Sequence, residues 1–240
     1  MVRPIVNRFK DSTAVATQAA ADLFEFVSVK LETQPRVDIA VTGGTVGIAT
    51  LAAAKEFDFN SLDLRRLHIW WGDERFVPRN SDDRNYIQAN SAWLKALNIP
   101  SENVHVFPSS DEGLTLTEAA TSFAAHFDSI GINFDLMLMG MGPDGHIASL
   151  FPGKTVGESI SSVIAEVASP KPPPFRLSFN YTTINNSKEI WFTVAGSDKA
   201  AAVATVFGDQ PNTLPAGRIS GKEKTVWYVD QTAGNLVWGC

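Results

Sequence analysis

Asp144 and His146 stand two residues apart in the loop Gly140-Met-Gly-Pro-Asp-Gly-His146, and they are the pair in this 240-residue chain best suited to proton transfer. Imidazole titrates near neutrality, and a carboxylate beside it fixes the ring and favours its charged form. An extended backbone at this spacing permits the contact without requiring it. The bland alternative is a turn, with Asp144 capping the loop and His146 bonded to backbone. Gly140, Gly142 and Gly145 also satisfy the G-x-G-x-x-G dinucleotide pattern. Three details oppose that use: Asp144 puts a carboxylate where pyrophosphate belongs, Pro143 removes an N–H from the cradle, and Pro152 leaves little room for a long helix.

Gly43 and Gly44, within Thr42-Gly-Gly-Thr45, let the backbone approach a ligand closely, and a helix starting there offers unpaired N–H groups to a phosphate. Gly-Gly between strand and helix also serves as a plain turn. A third polar cluster, Gly72-Asp-Glu-Arg75, follows another apolar run. His68, His105 and His126 show no metal-ligand spacing with one another, and the one cysteine, Cys240, is terminal, so no metal site is expected. Terminal placement also makes Cys240 a poor nucleophile. Without a G-x-S-x-G elbow, a hydrolase built on these residues would activate water directly rather than use a serine.

Strands must deliver these clusters, and the sequence supplies them. Apolar runs at 5–9, 37–41, 67–71, 104–107, 134–139, 175–179, 190–194 and 225–229 read as strands. Between them, helical patterns run from caps at 11–13 to about 30, and over 46–57, 84–97, 116–127 and 198–207. Such alternation predicts an α/β fold of βα units around a mainly parallel sheet. The Thr42, Gly72 and Gly140 clusters then fall at carboxyl ends of strands, where open parallel sheets bind ligands. The prolines at 170 and 172–174 read as a stiff extended connector. No repeat or long linker divides the chain, so residues 1–240 are expected to form a single domain.

Composition excludes several partners. The chain is 44% hydrophobic and 19% charged with a net charge of −6, which fits a soluble globular protein and argues against nucleic acid. An anionic substrate must therefore be captured by local positive groups. Met1-Val-Arg-Pro-Ile5 lacks the apolar stretch of a signal peptide, and no uncharged apolar run approaches a membrane span. No membrane partner is expected. The single cysteine fits a reducing compartment, so the expected location is cytoplasmic.

Five blocks together carry a family resemblance: Thr42-Gly-Gly-Thr45, Trp71-Gly-Asp-Glu-Arg75, Gly140-Met-Gly-Pro-Asp-Gly-His-Ile-Ala-Ser-Leu-Phe-Pro152, Phe175-Arg-Leu-Ser178 and Gly196-Ser-Asp-Lys199. In this order, over most of the chain, they resemble the 6-phosphogluconolactonases of the glucosamine-6-phosphate isomerase/6-phosphogluconolactonase family. The resemblance implies a Rossmann-like, mainly parallel sheet with helices on both faces, shared with glucosamine-6-phosphate deaminases and ribose-5-phosphate isomerases. It also implies hydrolysis of 6-phospho-D-glucono-1,5-lactone to 6-phosphogluconate in the oxidative pentose phosphate pathway, without a cofactor. A monomer or weak oligomer is expected. Mapped onto the blocks, His146 is the general base on water, Asp144 orients it, and Arg75 stabilises the anionic substrate or developing oxyanion. Thr42, Gly43, Gly44 and Thr45 would hold the phosphate, with Arg176 and Lys199 as cationic anchors. The bland readings are an ion pair of Arg75 with Asp73 or Glu74, a solvated Lys199, and an Arg176 turned outward. Trp70, Trp71 and Phe151 are expected in the core or the pocket wall.

The related deaminases are the rival reading. They resemble this chain at Asp144-Gly-His146 but continue with an acidic residue, whereas here Ala148-Ser-Leu-Phe-Pro152 follows. Their second block reads Asp-Glu-Tyr rather than Asp73-Glu-Arg75. One departure runs the other way: Asp83-Arg-Asn-Tyr86 stands where many lactonases have Ser-Asn-Tyr, and the role of this loop stays open. A non-catalytic sugar-phosphate sensor would keep the phosphate cradle but lose His146 or Asp144 and gain a DNA-binding segment, and neither expectation fits.

Overall fold

The structure is a computed structural model and describes residues 3–239, so Cys240 lies outside the described residues. In chain order the elements are β1 (Ile5–Phe9), α1 (Ser12–Thr33), β2 (Val37–Val41), α2 (Thr45–Ala54), β3 (Leu67–Trp71), β4 (Asp73–Arg75), α3 (Asn85–Ala92), α4 (Leu116–Ile130), β5 (Leu136–Met139), β6 (Val163–Glu166), β7 (Arg176–Phe179), α5 (Tyr181–Asn185), β8 (Glu189–Val194), α6 (Ala200–Val206), β9 (Lys224–Asp230) and α7 (Gln231–Trp238). Six strands pair in parallel in the order β1-β9-β8-β5-β2-β3. β4, β7 and β6 form a small antiparallel sheet.

Strand alternation sends neighbouring aromatic residues into opposite layers. On β9, Tyr228 donates to Asp22 of α1 at 2.7 Å, while Trp227 stacks on Phe192 and meets Phe207 beyond α6. On β3, Trp70 packs edge-on against Phe123 and Phe127 of α4, while Trp71 meets Tyr86 of α3. With α1, α2 and α3 packed in series, helices cover both faces of the parallel sheet. That coverage is why β2 and β5 are buried along their whole length.

Local chemistry sets the helix ends. α1 starts where the Asp11 carboxylate accepts from Ala14 N at 2.8 Å, and its Val15, Ala19, Leu23, Val27 and Leu31 form one buried stripe at four-residue spacing. α4 opens with a reciprocal Thr115–Glu118 capping box and closes on Gly131 at φ 69°.

Two expected elements differ. The 104–107 run forms only an isolated bridge from Val104 to Ile69, because Phe107 O is taken by the buried Arg84 guanidinium and the chain leaves the sheet edge. The 84–97 helix stops at Ala92: Trp93, fully buried against Phe59, takes φ −146° and ψ −55° and starts a 3-10 turn at 94–96. β4, β6, α5 and α7 were not foreseen.

Gly72 is the hinge between the sheets. Its N–H donates to Val41 O at 3.0 Å in the parallel sheet, and its carbonyl accepts from Phe179 N at 3.1 Å in the small one. One extended stretch, Leu67 to Arg75, therefore serves both sheets and carries Asp73, Glu74 and Arg75 across the top of the parallel strands.

Candidate active site

β2 is hydrogen-bonded to both β3 and β5, so the three polar clusters at their carboxyl ends converge. They surround a cavity of about 560 Å³. Thr42, Gly43, Gly44, Thr45, Arg75, His146, Arg176 and Lys199 all line it, together with Lys171 and the segment after β8. Asp144 is not in the lining; its Oδ1 accepts from His146 Nδ1.

The loop after β5 is shaped around the His146 ring. Gly145 takes φ 78°, its N–H donates to Gly142 O at 3.0 Å, and Gly142 N donates to His146 O at 2.8 Å. The ring folds back over Gly142, where a Cβ would sit 2.0 Å from both Nδ1 and Cε1. No helix opens at Gly145, so these glycines serve an imidazole rather than a dinucleotide. An ionised carboxylate only accepts hydrogen bonds, so the proton of neutral His146 sits on Nδ1 and Nε2 carries the lone pair. Burial pushes the His146 pKa down; Asp144's hydrogen bond and charge oppose this, and the charge of Lys171 adds to the depression. For Asp144, burial pushes upward, but the hydrogen bond and charge of His146 hold its carboxyl below the usual range. At neutral pH the pair is a neutral imidazole on a carboxylate, a base ready to take a proton.

The start of α2 lines the same cavity. Gly44, at φ 78°, precedes it with no side-chain cap, so first-turn N–H groups remain for a ligand, and Gly44 to Gly47 line the cavity. Gly43 is required for packing: a Cβ there would lie 2.0 Å from Asn85 Oδ1.

The 83–86 loop locks the second block in place. Glu74 is 1% exposed and accepts from Arg75 N, Asn85 N and Tyr86 N at 2.7–2.9 Å, capping α3, with the buried Arg84 guanidinium 3.5 Å away. Burial raises the Glu74 pKa, against Arg84 and these three backbone donors. Asp73 ties further segments together: Ser149 Oγ donates to it at 2.6 Å, Asn85 Nδ2 approaches at 3.3 Å, and Arg176 Nη1 lies 3.9 Å away. Ser149, which follows the histidine loop, is thus a fully buried structural link.

The cations do not all stand as the sequence suggests. Arg75 pairs with neither Asp73 nor Glu74 in a side-chain ion pair; its Nη1 donates to Asp83 O, leaving Nε without a partner. Arg176 is buried, and it spends Nε on Pro173 O and Nη2 on Lys171 O and Pro172 O, each at 3.2 Å. Arg75 and Arg176 are also cross-strand partners of β4 and β7. Burial depresses the Arg176 pKa, Asp73 opposes, and Arg75 depresses it further. Lys199 lies in the 3-10 turn before α6, with Nζ 2.8 Å from Asp198 Oδ2. Trp70, Trp71 and Phe151 are core residues, with Phe151 4.8 Å from the His146 ring.

Sequence spacing concealed another cluster. His68 Nδ1 meets His105 Nε2 at 3.0 Å, and His105 Nδ1 meets His126 Nε2 at 3.1 Å, with His105 stacked on Trp70. They form a hydrogen-bonded chain apart from the cavity; among the described residues no group of three or more His, Cys, Asp or Glu is placed to hold a metal ion. Nor is any described helix long and apolar enough to cross a membrane.

The sequence and the fold have known counterparts. The family model described as glucosamine-6-phosphate isomerases/6-phosphogluconolactonase matches residues 10–227. The chain is 37% identical to the 6-phosphogluconolactonase of Mycobacterium leprae, over 98% of each chain, and 38% identical to that of Mycobacterium tuberculosis, over 95% of this chain and 96% of the other. The crystal structure of 6-phosphogluconolactonase from Thermotoga maritima superposes with a TM-score of 0.86 at 28% identity, covering 95% of this chain and 100% of that one. With its fold, its blocks and its nearly full-length relatives in agreement, the chain belongs to the glucosamine-6-phosphate isomerase/6-phosphogluconolactonase family.

Proposed function

We propose that this protein hydrolyses 6-phospho-D-glucono-1,5-lactone to 6-phosphogluconate in the cytoplasm. The observation that carries the reading is His146, held by Asp144 through Nδ1 and lining the same cavity as the uncapped start of α2. One group handles a proton and the other holds an anion, which is what a phosphorylated lactone requires. The full-length relatives named 6-phosphogluconolactonase support the same choice.

In this reading His146 Nε2 takes a proton from water as the water oxygen bonds to the lactone carbonyl carbon. Arg75, which lines the cavity, stabilises the oxyanion that develops. Collapse breaks the bond to the ring oxygen, which receives the proton from His146 and leaves as a hydroxyl. Thr42 to Thr45 hold the phosphate, and Arg176 and Lys199 add positive charge around it. The reaction needs no cofactor, since water is the second reactant.

The test is 6-phosphogluconate formation from freshly generated lactone by wild type and His146→Ala. A wild-type rate well above background that falls to background in the variant supports the reading. Equal rates at the spontaneous level sink it, and turnover of glucosamine 6-phosphate instead would promote the deaminase.

A further inference from the structure

The proline-rich segment between β6 and β7 brings a cation to the cavity that the family blocks do not include. Lys171 and Pro172 line the same cavity as His146, Lys199 and the α2 start. The segment is held by Arg176, which donates to the carbonyls of 171, 172 and 173, and by Ser169 Oγ, which donates to Lys171 O at 2.8 Å. Lys199 already faces Asp198, and Arg176 commits Nε and Nη2 to backbone oxygens, with Nη1 3.9 Å from Asp73 Oδ2. By contrast, the Lys171 ammonium meets no acceptor among the described residues. A flexible point charge on a clamped backbone suits a phosphate whose oxygens approach from the α2 side.

We propose that Lys171 is the ammonium that binds the substrate's phosphate, and that Arg176 is a positioning residue acting through it by fixing segment 171–173. This rests on the lactonase reading and adds to it the residue that selects the phosphorylated substrate. Charge balance agrees. Burial holds the Lys171 pKa down; Asp144 opposes, and Lys199 and Arg176 depress it further. These cations repel one another until an anion enters.

The experiment compares kcat and KM of wild type, Lys171→Met and Lys171→Arg on 6-phospho-D-glucono-1,5-lactone and on unphosphorylated D-glucono-1,5-lactone. A charge-assisted contact predicts that Lys171→Met lowers the preference for the phosphorylated lactone about 10–100-fold, mainly through KM, with recovery in Lys171→Arg. An unchanged KM, or an equal loss on both lactones, overturns the proposal. Arg176→Lys should lower the same preference, and adding it to Lys171→Met should bring less than about a twofold further loss; full additivity would place Arg176 on the phosphate itself. If wild type proves inactive on the lactone, the lactonase reading fails separately. Titration with inorganic phosphate then decides the site: weaker binding by Lys171→Met supports it, and equal binding removes it.

Discussion

The His146 ring lies against the α-carbon of Gly142, so close that a methyl group there would stand 2.0 Å from Nδ1. The ring's position is set by what Gly142 lacks. Gly142→Ala should fold, since the obstacles are the side chains of His146 and Asp144 and not backbone, but the displaced imidazole should lose about 10²-fold in kcat. Circular dichroism with lactonase kinetics checks this; kcat within twofold of wild type would show that the ring does not depend on the glycine.

Asp144→Asn keeps the shape but removes the charge and the obligatory acceptor. The amide can hold the wrong tautomer, so kcat should fall about 10²–10⁴-fold. The pH profile supplies an independent readout. Asp144 raises the His146 pKa against the depressing effect of burial, so its neutralisation should move the acid limb of kcat/KM to lower pH. An acid limb that stays in place or moves up would contradict the pairing.

The histidine chain makes stability depend on pH. Burial, and then the neighbouring His68 and His126, push the His105 pKa down to about 4; burial also lowers that of His68. Unfolded histidine titrates near 6.5, so between about 6.5 and 4 the unfolded chain binds more protons and stability falls with pH. Allowing for partial solvent screening, urea unfolding should show a loss on the order of 1–2 kcal/mol from pH 7 to pH 5. His105→Gln should flatten that dependence, and an identical slope in the variant would remove His105 as its source.

Glu74 and Arg84 are each 1% exposed, so neither can shed its partner cheaply. Arg84→Met leaves a buried carboxylate unpaired and should destabilise by about 3–5 kcal/mol in urea unfolding. Glu74→Gln combined with Arg84→Met should lose less than Arg84→Met alone. A larger loss in the double variant would mean that packing, not charge, dominates there.

Strand ends were legible because long apolar runs such as 37–41 and 67–71 stop at polar clusters, and buried parallel strands write themselves as such runs. β4 was not, because Asp73-Glu-Arg75 has no hydrophobic pattern and becomes a strand only through its partner β7. The Asp144–His146 contact was readable as a possibility, while its geometry depends on a turn tightened by Gly142 and Gly145. Arg176 lines the cavity, but no local pattern shows that its Nε and Nη2 donate to a loop read as a connector. The histidine chain joins three distant positions, 68, 105 and 126, and is invisible to spacing.

The placement of Arg75 directly across from Arg176 has a consequence for how the protein behaves in the laboratory. Like charges facing each other across a strand pair repel, and any small oxyanion that enters between the strands and the α2 start relieves them. Sulfate or phosphate buffers should therefore raise the melting temperature, and go on raising it with the logarithm of ion concentration after the site is filled. The same ions compete with substrate, so the conditions that make the protein easiest to keep folded are those in which its affinity for a sugar phosphate is most underestimated.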